Sequence, residues 1–221
     1  MALILNLETT TTNCSVSLAK NEELIAIEEE NKNNFSHAER LHVFINEVLK
    51  SSKIDRSQLD AIAVSKGPGS YTGLRIGVSA AKGLCFALNI PLIAVDTLRA
   101  LAMQVVPSSS NTIIIPMLDA RRQEVYTATY NSNYECITAA NAKIIEQDSF
   151  DHLVKEHKVI YIGSGASKTK EITANSSANY LEDAVPSAKE MAQLSYAKYK
   201  ISDIEDVAYF EPYYLKDFIA K

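Results

Sequence analysis

The residues with chemical potential fall into three groups. Lys66-Gly67-Pro68-Gly69-Ser70-Tyr71-Thr72-Gly73 joins glycines to a serine and a lysine, the makings of a phosphate cradle or a nucleophile turn. Glu8-Thr9-Thr10-Thr11-Thr12-Asn13 offers a carboxylate and four hydroxyls, suited to an anion or nucleotide contact. Asp119-Ala120-Arg121-Arg122-Gln123-Glu124 concentrates charge in six residues. A charged surface turn explains this last group as well as a site does.

Spacing excludes the familiar versions of the glycine loop. A Walker loop needs G-x-x-x-x-G-K-[ST], but Gly67 and Gly73 are six apart and Leu74-Arg75 follow. In a dinucleotide fingerprint the third glycine position would be Thr72. A nucleophile elbow around Ser70 would need glycine at Pro68 and Thr72. The histidines suggest no metal pair. His37 and His42 are five apart, so on a helix they diverge by about 140°, and His152 and His157 repeat that spacing.

These residues need elements to hold them. Strands are expected at 3–7, 14–18 and 24–27, with the hydroxyl-rich turn between the first two. Ser36-His37-Ala38-Glu39 reads as a capping box opening a helix to about Lys50. A strand over 60–64 leads into the glycine loop, and a helix runs from Leu74 to Leu88. A strand at 91–95 and a short helix from Leu98 to about Val106 precede Pro107-Ser-Ser-Ser-Asn111, the one linker-like break. Strands follow at 112–118, 125–130, 137–145 and 159–162, then a helix capped by Ser187 with Glu190, ending near Tyr199. The expected organisation is therefore α/β, with subdomains at 1–106 and 107–221 and the terminal segment returning to the first.

The chain has seven glycines, and Gly67, Gly69, Gly73, Gly77 and Gly83 cluster on the loop and its helix. That helix is apolar or small nearly all round, save for a stripe of Arg75, Ser79 and Lys82. Such a helix is covered on more than one side; the second cover is either a partner or the chain's own core.

Ser65-Lys-Gly-Pro-Gly-Ser-Tyr-Thr-Gly-Leu-Arg-Ile-Gly77, Ala81-Lys-Gly-Leu84 and Pro91-Leu-Ile-Ala-Val-Asp-Thr-Leu-Arg-Ala-Leu-Ala102 resemble the signature of the TsaB (YeaZ) family. Asp119-Ala-Arg-Arg-Gln-Glu-Val-Tyr126 and the terminal Pro212-Tyr-Tyr-Leu-Lys216 extend the resemblance. It implies an actin-like ATPase (sugar kinase, Hsp70, RNase H-like) fold with two subdomains and a degenerate nucleotide site. It also implies a non-catalytic partner in making threonylcarbamoyladenosine beside the anticodon of tRNAs reading ANN codons. The expected partners are a TsaD-like catalytic subunit and a TsaE-like ATPase, with tRNA met only in the complex and a homodimer formed when alone.

The expected partner interface is His37, Arg40, Leu41, Phe44, Ile45, Val48, Tyr71, Leu74, Gly77, Val78, Ala81 and Cys85. No catalytic residue, metal or cofactor is expected. Weak anion or nucleotide contact would fall on Glu8, Thr9, Thr10, Gly67, Gly69 and Ser70. The alternative is a nucleotide-dependent transferase or hydrolase at the cleft between subdomains. Glycine is missing from 1–66 and 84–162, which disfavours a full phosphate-and-adenosine clamp. A net charge of −5 argues against nucleic-acid binding by this chain alone. Three scattered cysteines, an N-terminus without a basic leader pattern and the lack of an 18-residue apolar run fit a cytoplasmic protein.

Overall fold

The computed structural model describes residues 1–32 and 37–216; the Ser36 capping box lies outside them. The described residues divide into two units, one drawn from 1–100 with 186–214 and the other from 101–185 with 215–216.

In the first unit, β1 (Leu3–Glu8) is the central strand of five, in the order β3-β2-β1-β4-β5. It pairs antiparallel with β2 (Asn13–Lys20) and parallel with β4 (Ala61–Gly67). Beyond them lie β3 (Glu23–Asn31), antiparallel to β2, and β5 (Leu92–Asp96), parallel to β4. The strands sort by their period of two. Leu5, Leu7, Cys14, Val16 and Leu18 enter an apolar core with α1 (His37–Ser52) and α2 (Tyr71–Leu88). On α1, Leu41, Phe44, Ile45, Val48 and Leu49 form the buried stripe.

The opposite face of this sheet is buried and polar. Asn6, Ser15, Ser17 and Ser65 are all fully buried, and α6 (Ala188–Lys200) packs across β1 and β2. Ser195 Oγ donates to Asn6 Oδ1 (2.7 Å), and Ser17 Oγ donates to the Ala188 carbonyl (2.7 Å). Ser187 caps the helix, its hydroxyl accepting from Lys189 N (3.2 Å).

The second unit repeats the topology. Its order is β10-β9-β6-β7-β8, from β6 (Thr112–Asp119), β7 (Glu124–Tyr130), β8 (Cys136–Ile144), β9 (Lys158–Ile162) and β10 (Asn179–Leu181). Here β6-β7-β8 is antiparallel and β6-β9-β10 parallel. Each unit thus has an antiparallel meander whose first strand also starts a parallel run, which is the expected actin-like ATPase fold in two subdomains. The second core gathers Ile113, Ile115, Met117, Val125 and Tyr161, with α4 (Asp151–Glu156) and α5 (Ala166–Thr173) against the sheet.

Two expectations change. The terminal return to the first unit is larger than a tail, since α6 and residues up to Tyr214 belong there, and the chain passes between units at Ala100 and not at Pro107. The helix expected to reach Val106 is α3 (Thr97–Ala102). Val105, Val106 and Pro107 stop it, because β-branched residues and the position before proline disfavour helix. The pattern missed α4, α5 and β10, which are too short to show a period.

Candidate functional site

The site is built where β1 hands over to β2. Glu8, the last residue of β1, is fully buried. Its Oε1 accepts from Thr10 N (2.6 Å) and Thr10 Oγ1 (2.5 Å), and its Oε2 accepts from Ser65 Oγ. Burial pushes the Glu8 carboxyl above its ordinary range, and the Ser65 and Thr10 bonds only partly oppose this. Met191 of α6 lies against Ser65, Sδ to Oγ 3.5 Å. Glu8 is therefore a structural carboxyl that ties β1, β4 and the turn together, with no face to offer a substrate.

The glycine loop closes over the same turn. Ser70 N donates to the Thr10 carbonyl (2.7 Å), Thr9 Oγ1 donates to the Gly73 carbonyl (2.7 Å), and Ser70 Oγ caps α2 by accepting from Gly73 N (3.3 Å). A Cβ on Gly69 would sit 2.5 Å from the Thr10 carbonyl oxygen, one on Gly73 would fall on the Thr9 carbonyl oxygen, and one on Gly77 on Thr9 Oγ1. The row of glycines exists so that α2 can meet the β1–β2 turn backbone to backbone. Thr9 and Thr10 are both buried, so the space a phosphate would need between turn and helix is taken by the chain itself.

This corrects the expected interface. Leu41, Phe44, Ile45, Val48, Leu74, Val78, Ala81 and Cys85 are buried in the first unit's own core, and His37 and Gly77 are buried with them. His37 Nε2 lies 2.6 Å from the Thr11 carbonyl, and burial holds its ring below the usual histidine range. Of the twelve residues only Arg40 and Tyr71 keep partial exposure. Helical periodicity located the buried stripe but gave no means of telling core from partner. The expected anion residues come together only in part: Glu8, Thr9 and Thr10, all buried, meet half-buried Gly69 and Ser70 of the glycine loop, while Gly67 lies against the Tyr213 carbonyl.

A second cover lies over the loop, and the terminal motif supplies it. Tyr213 N donates to the Lys66 carbonyl (2.7 Å), and the Tyr213 carbonyl oxygen would lie 2.7 Å from a Cβ on Gly67. Tyr214 stacks near Tyr71 with ring centroids 4.9 Å apart, and the Arg75 guanidinium lies 4.3 Å from the Tyr71 centroid. Lys82 Nζ donates to the carbonyls of Ala208 (3.1 Å) and Phe210 (2.9 Å). The polar stripe on α2 thus holds the terminal segment.

What α2 leaves accessible is Thr72, Arg75, Ser79, Gly83, Phe86 and Ala87. Phe86 is 85% exposed, and a Cβ on Gly83 would meet nothing within 4 Å. Lys82, Gly83, Phe86, Asp206, Val207 and Ala208 line an open groove of about 670 Å³ there.

The charged segment forms the β6–β7 turn. Asp119 Oδ1 accepts from Arg121 N (2.6 Å) and Lys168 Nζ (2.7 Å). Asp119 N donates to Ser164 Oγ (3.1 Å), Lys168 Nζ also reaches the Glu124 carbonyl (3.1 Å), and Lys216 pairs with Glu124. Arg121 and Arg122 are exposed and left-handed, with φ of 71° and 51°.

A family model described as TsaD: tRNA N6-adenosine threonylcarbamoyltransferase matches residues 31–220. A Haemophilus influenzae protein named tRNA threonylcarbamoyladenosine biosynthesis protein TsaB is 26% identical, over 97% of this chain and 93% of that protein. A Bacillus subtilis protein of the same name is 33% identical, over 62% of this chain and 60% of that one. The structure of YeaZ from Pseudomonas aeruginosa superposes with a TM-score of 0.83 at 26% identity, covering 97% of this chain and all of that one.

Proposed function

The chain belongs to the TsaB (YeaZ) family, within the span of the TsaD family model, and from that premise we propose that it is a non-catalytic partner subunit in the threonylcarbamoylation of tRNA. The coarser role, in tRNA threonylcarbamoyladenosine biosynthesis, follows from the family. In the finer reading it binds and supports a TsaD-like catalytic subunit in the cytoplasm. A TsaE-like ATPase joins them, and the chain pairs with itself when that subunit is missing.

One observation carries the non-catalytic part. Gly69, Gly73 and Gly77 seat α2 directly on Thr9 and Thr10, and Glu8 beneath is fully buried. A nucleotide-dependent enzyme would need that turn open. No nucleotide or other cofactor is required in this reading, and calorimetric titration with ATP and magnesium should show no tight binding.

The partner surface moves to the outward faces of α1 and α2. Gly83 supports this, since a mid-helix glycine costs about 1 kcal/mol against alanine and nothing within the described residues needs it. Exposed Phe86 beside it and half-exposed Val43 on α1 supply apolar area. An interface of ordinary size would bury roughly 1,600 Å² in total. The catalytic subunit would then carry most of the tRNA contact.

The test is reconstitution with a TsaD-like subunit, reading both co-elution and threonylcarbamoyladenosine in tRNA. Gly83→Leu should leave the chain folded, abolish co-elution and abolish modification. Gly77→Leu would not test this surface, because it would strike Thr9 inside the fold. Unchanged co-elution by Gly83→Leu would refute this surface, and tight magnesium-dependent ATP binding by the chain alone would refute the non-catalytic reading.

A further inference from the structure

We propose that the β6–β7 turn is a phosphodiester-binding site, in which Arg121 and Arg122 grip the backbone of the tRNA; this rests on the role in tRNA modification. The turn is built at a conformational cost. Both arginines occupy the left-handed region, where a side chain is disfavoured and asparagine or glycine is the usual choice. A turn selected for stability alone would carry those residues. Asp119 fixes the turn by accepting from Arg121 N, and is itself held by Lys168. Backbone outliers of this kind, over-determined by their surroundings, point to function.

Charge gives the ligand class. Asp119 is paired with Lys168, and Glu124 with Lys216. Neither Arg121 nor Arg122 pairs with a carboxylate among the described residues. Among the described residues of the turn and its ion pairs, four cations therefore meet two carboxylates, a surplus of two positive charges on a chain whose net charge is −5. Guanidinium forks match phosphate oxygens in pairs. Both arginines stand on an exposed turn, so a small anion would be left in water, whereas a chain of phosphates running past can meet both. Such contacts position an RNA and do not read its sequence.

The test is fluorescence anisotropy with an unmodified tRNA transcript, using the full chain alone and mixed with a TsaD-like subunit. Arg121→Gln with Arg122→Gln should weaken binding about tenfold at low salt. It should also make the slope of log affinity against log salt shallower by roughly 1.4–1.8, as expected when two phosphates are no longer neutralised. Arg121→Asn with Arg122→Gly should do the same while keeping the turn. Lys20→Gln with Lys189→Gln, an equal charge change on exposed residues of the first unit away from α1 and α2, should do neither.

Unchanged affinity and slope in the arginine variants, an equal weakening in the lysine control, or no RNA binding by either wild-type sample would overturn the site. Displacement by inorganic phosphate far beyond that by chloride at equal ionic strength would overturn it in favour of a small-anion site. Co-elution of the same variants with the catalytic subunit keeps the two claims apart. Arginine variants that co-elute and bind RNA as wild type does sink this inference alone. A wild-type chain that neither pairs with the subunit nor supports modification sinks the proposed function.

Discussion

Two identical substitutions on one helix should have opposite signs. Gly73→Ala and Gly83→Ala both gain helix propensity, at most about 1 kcal/mol. At Gly83 the new methyl meets nothing within 4 Å, so the full gain should appear as added stability. At Gly73 it would lie well under 3.0 Å from the Thr9 carbonyl oxygen. That neighbour is backbone, and the Thr9 side chain is itself bonded to the Gly73 carbonyl, so neither side can yield cheaply. Overpacking of this kind costs about 1–3 kcal/mol, and the rigid neighbour argues for the upper end. After the propensity gain, Gly73→Ala should be less stable than wild type by about 2 kcal/mol. The two variants should therefore differ by about 3 kcal/mol. With a urea slope of about 2 kcal/mol/M, their midpoints separate by about 1.5 M. Urea unfolding by far-ultraviolet circular dichroism, with hydrogen exchange over residues 71–88 to assign the destabilised region, reads this directly. A Gly73→Ala protein as stable as wild type would refute the claim that α2 closes on the β1–β2 turn.

Three further outcomes follow from the same geometry. Because burial raises the folded-state value of Glu8, its protonated form contributes stability that is fully present below about pH 4.3. That contribution is lost as pH rises through the raised value. Glu8→Gln should therefore lack this decline, gaining on wild type with rising pH in urea titrations; parallel curves would contradict the assignment. Burial pushes the Cys14 and Cys85 thiols up to about 12, while Cys136 is exposed. A thiol reagent should label one of the three cysteines in the native protein and the others only on unfolding; labelling of all three at one rate would contradict the core. Tyr213→Pro removes the amide that donates to the Lys66 carbonyl and should raise hydrogen exchange in the glycine loop; unchanged exchange would show that the terminal segment does not hold the loop.

Strand positions were legible because the strands alternate or run apolar. On β2 the alternation of Cys14, Val16 and Leu18 with Ser15 and Ser17 marks the strand, but it does not show that the serine face is buried under α6. Nothing local says that a helix far along the chain will cover those serines. The glycine row was legible as close packing, not as packing against Thr9 and Thr10, because spacing along a helix records which side is crowded and not by what. The same limit placed core side chains of α1 and α2 in an interface. The left-handed arginines left no mark in the sequence, since composition there advertises charge and conceals backbone conformation.

The central claim is that this chain works by joining a catalytic subunit. The direct measurement is size-exclusion chromatography with light scattering on the chain alone, then mixed with a TsaD-like subunit. The account predicts a homodimer that gives way to a one-to-one heterodimer on mixing, with Gly83→Leu blocking the exchange. A monomer indifferent to that subunit would contradict it.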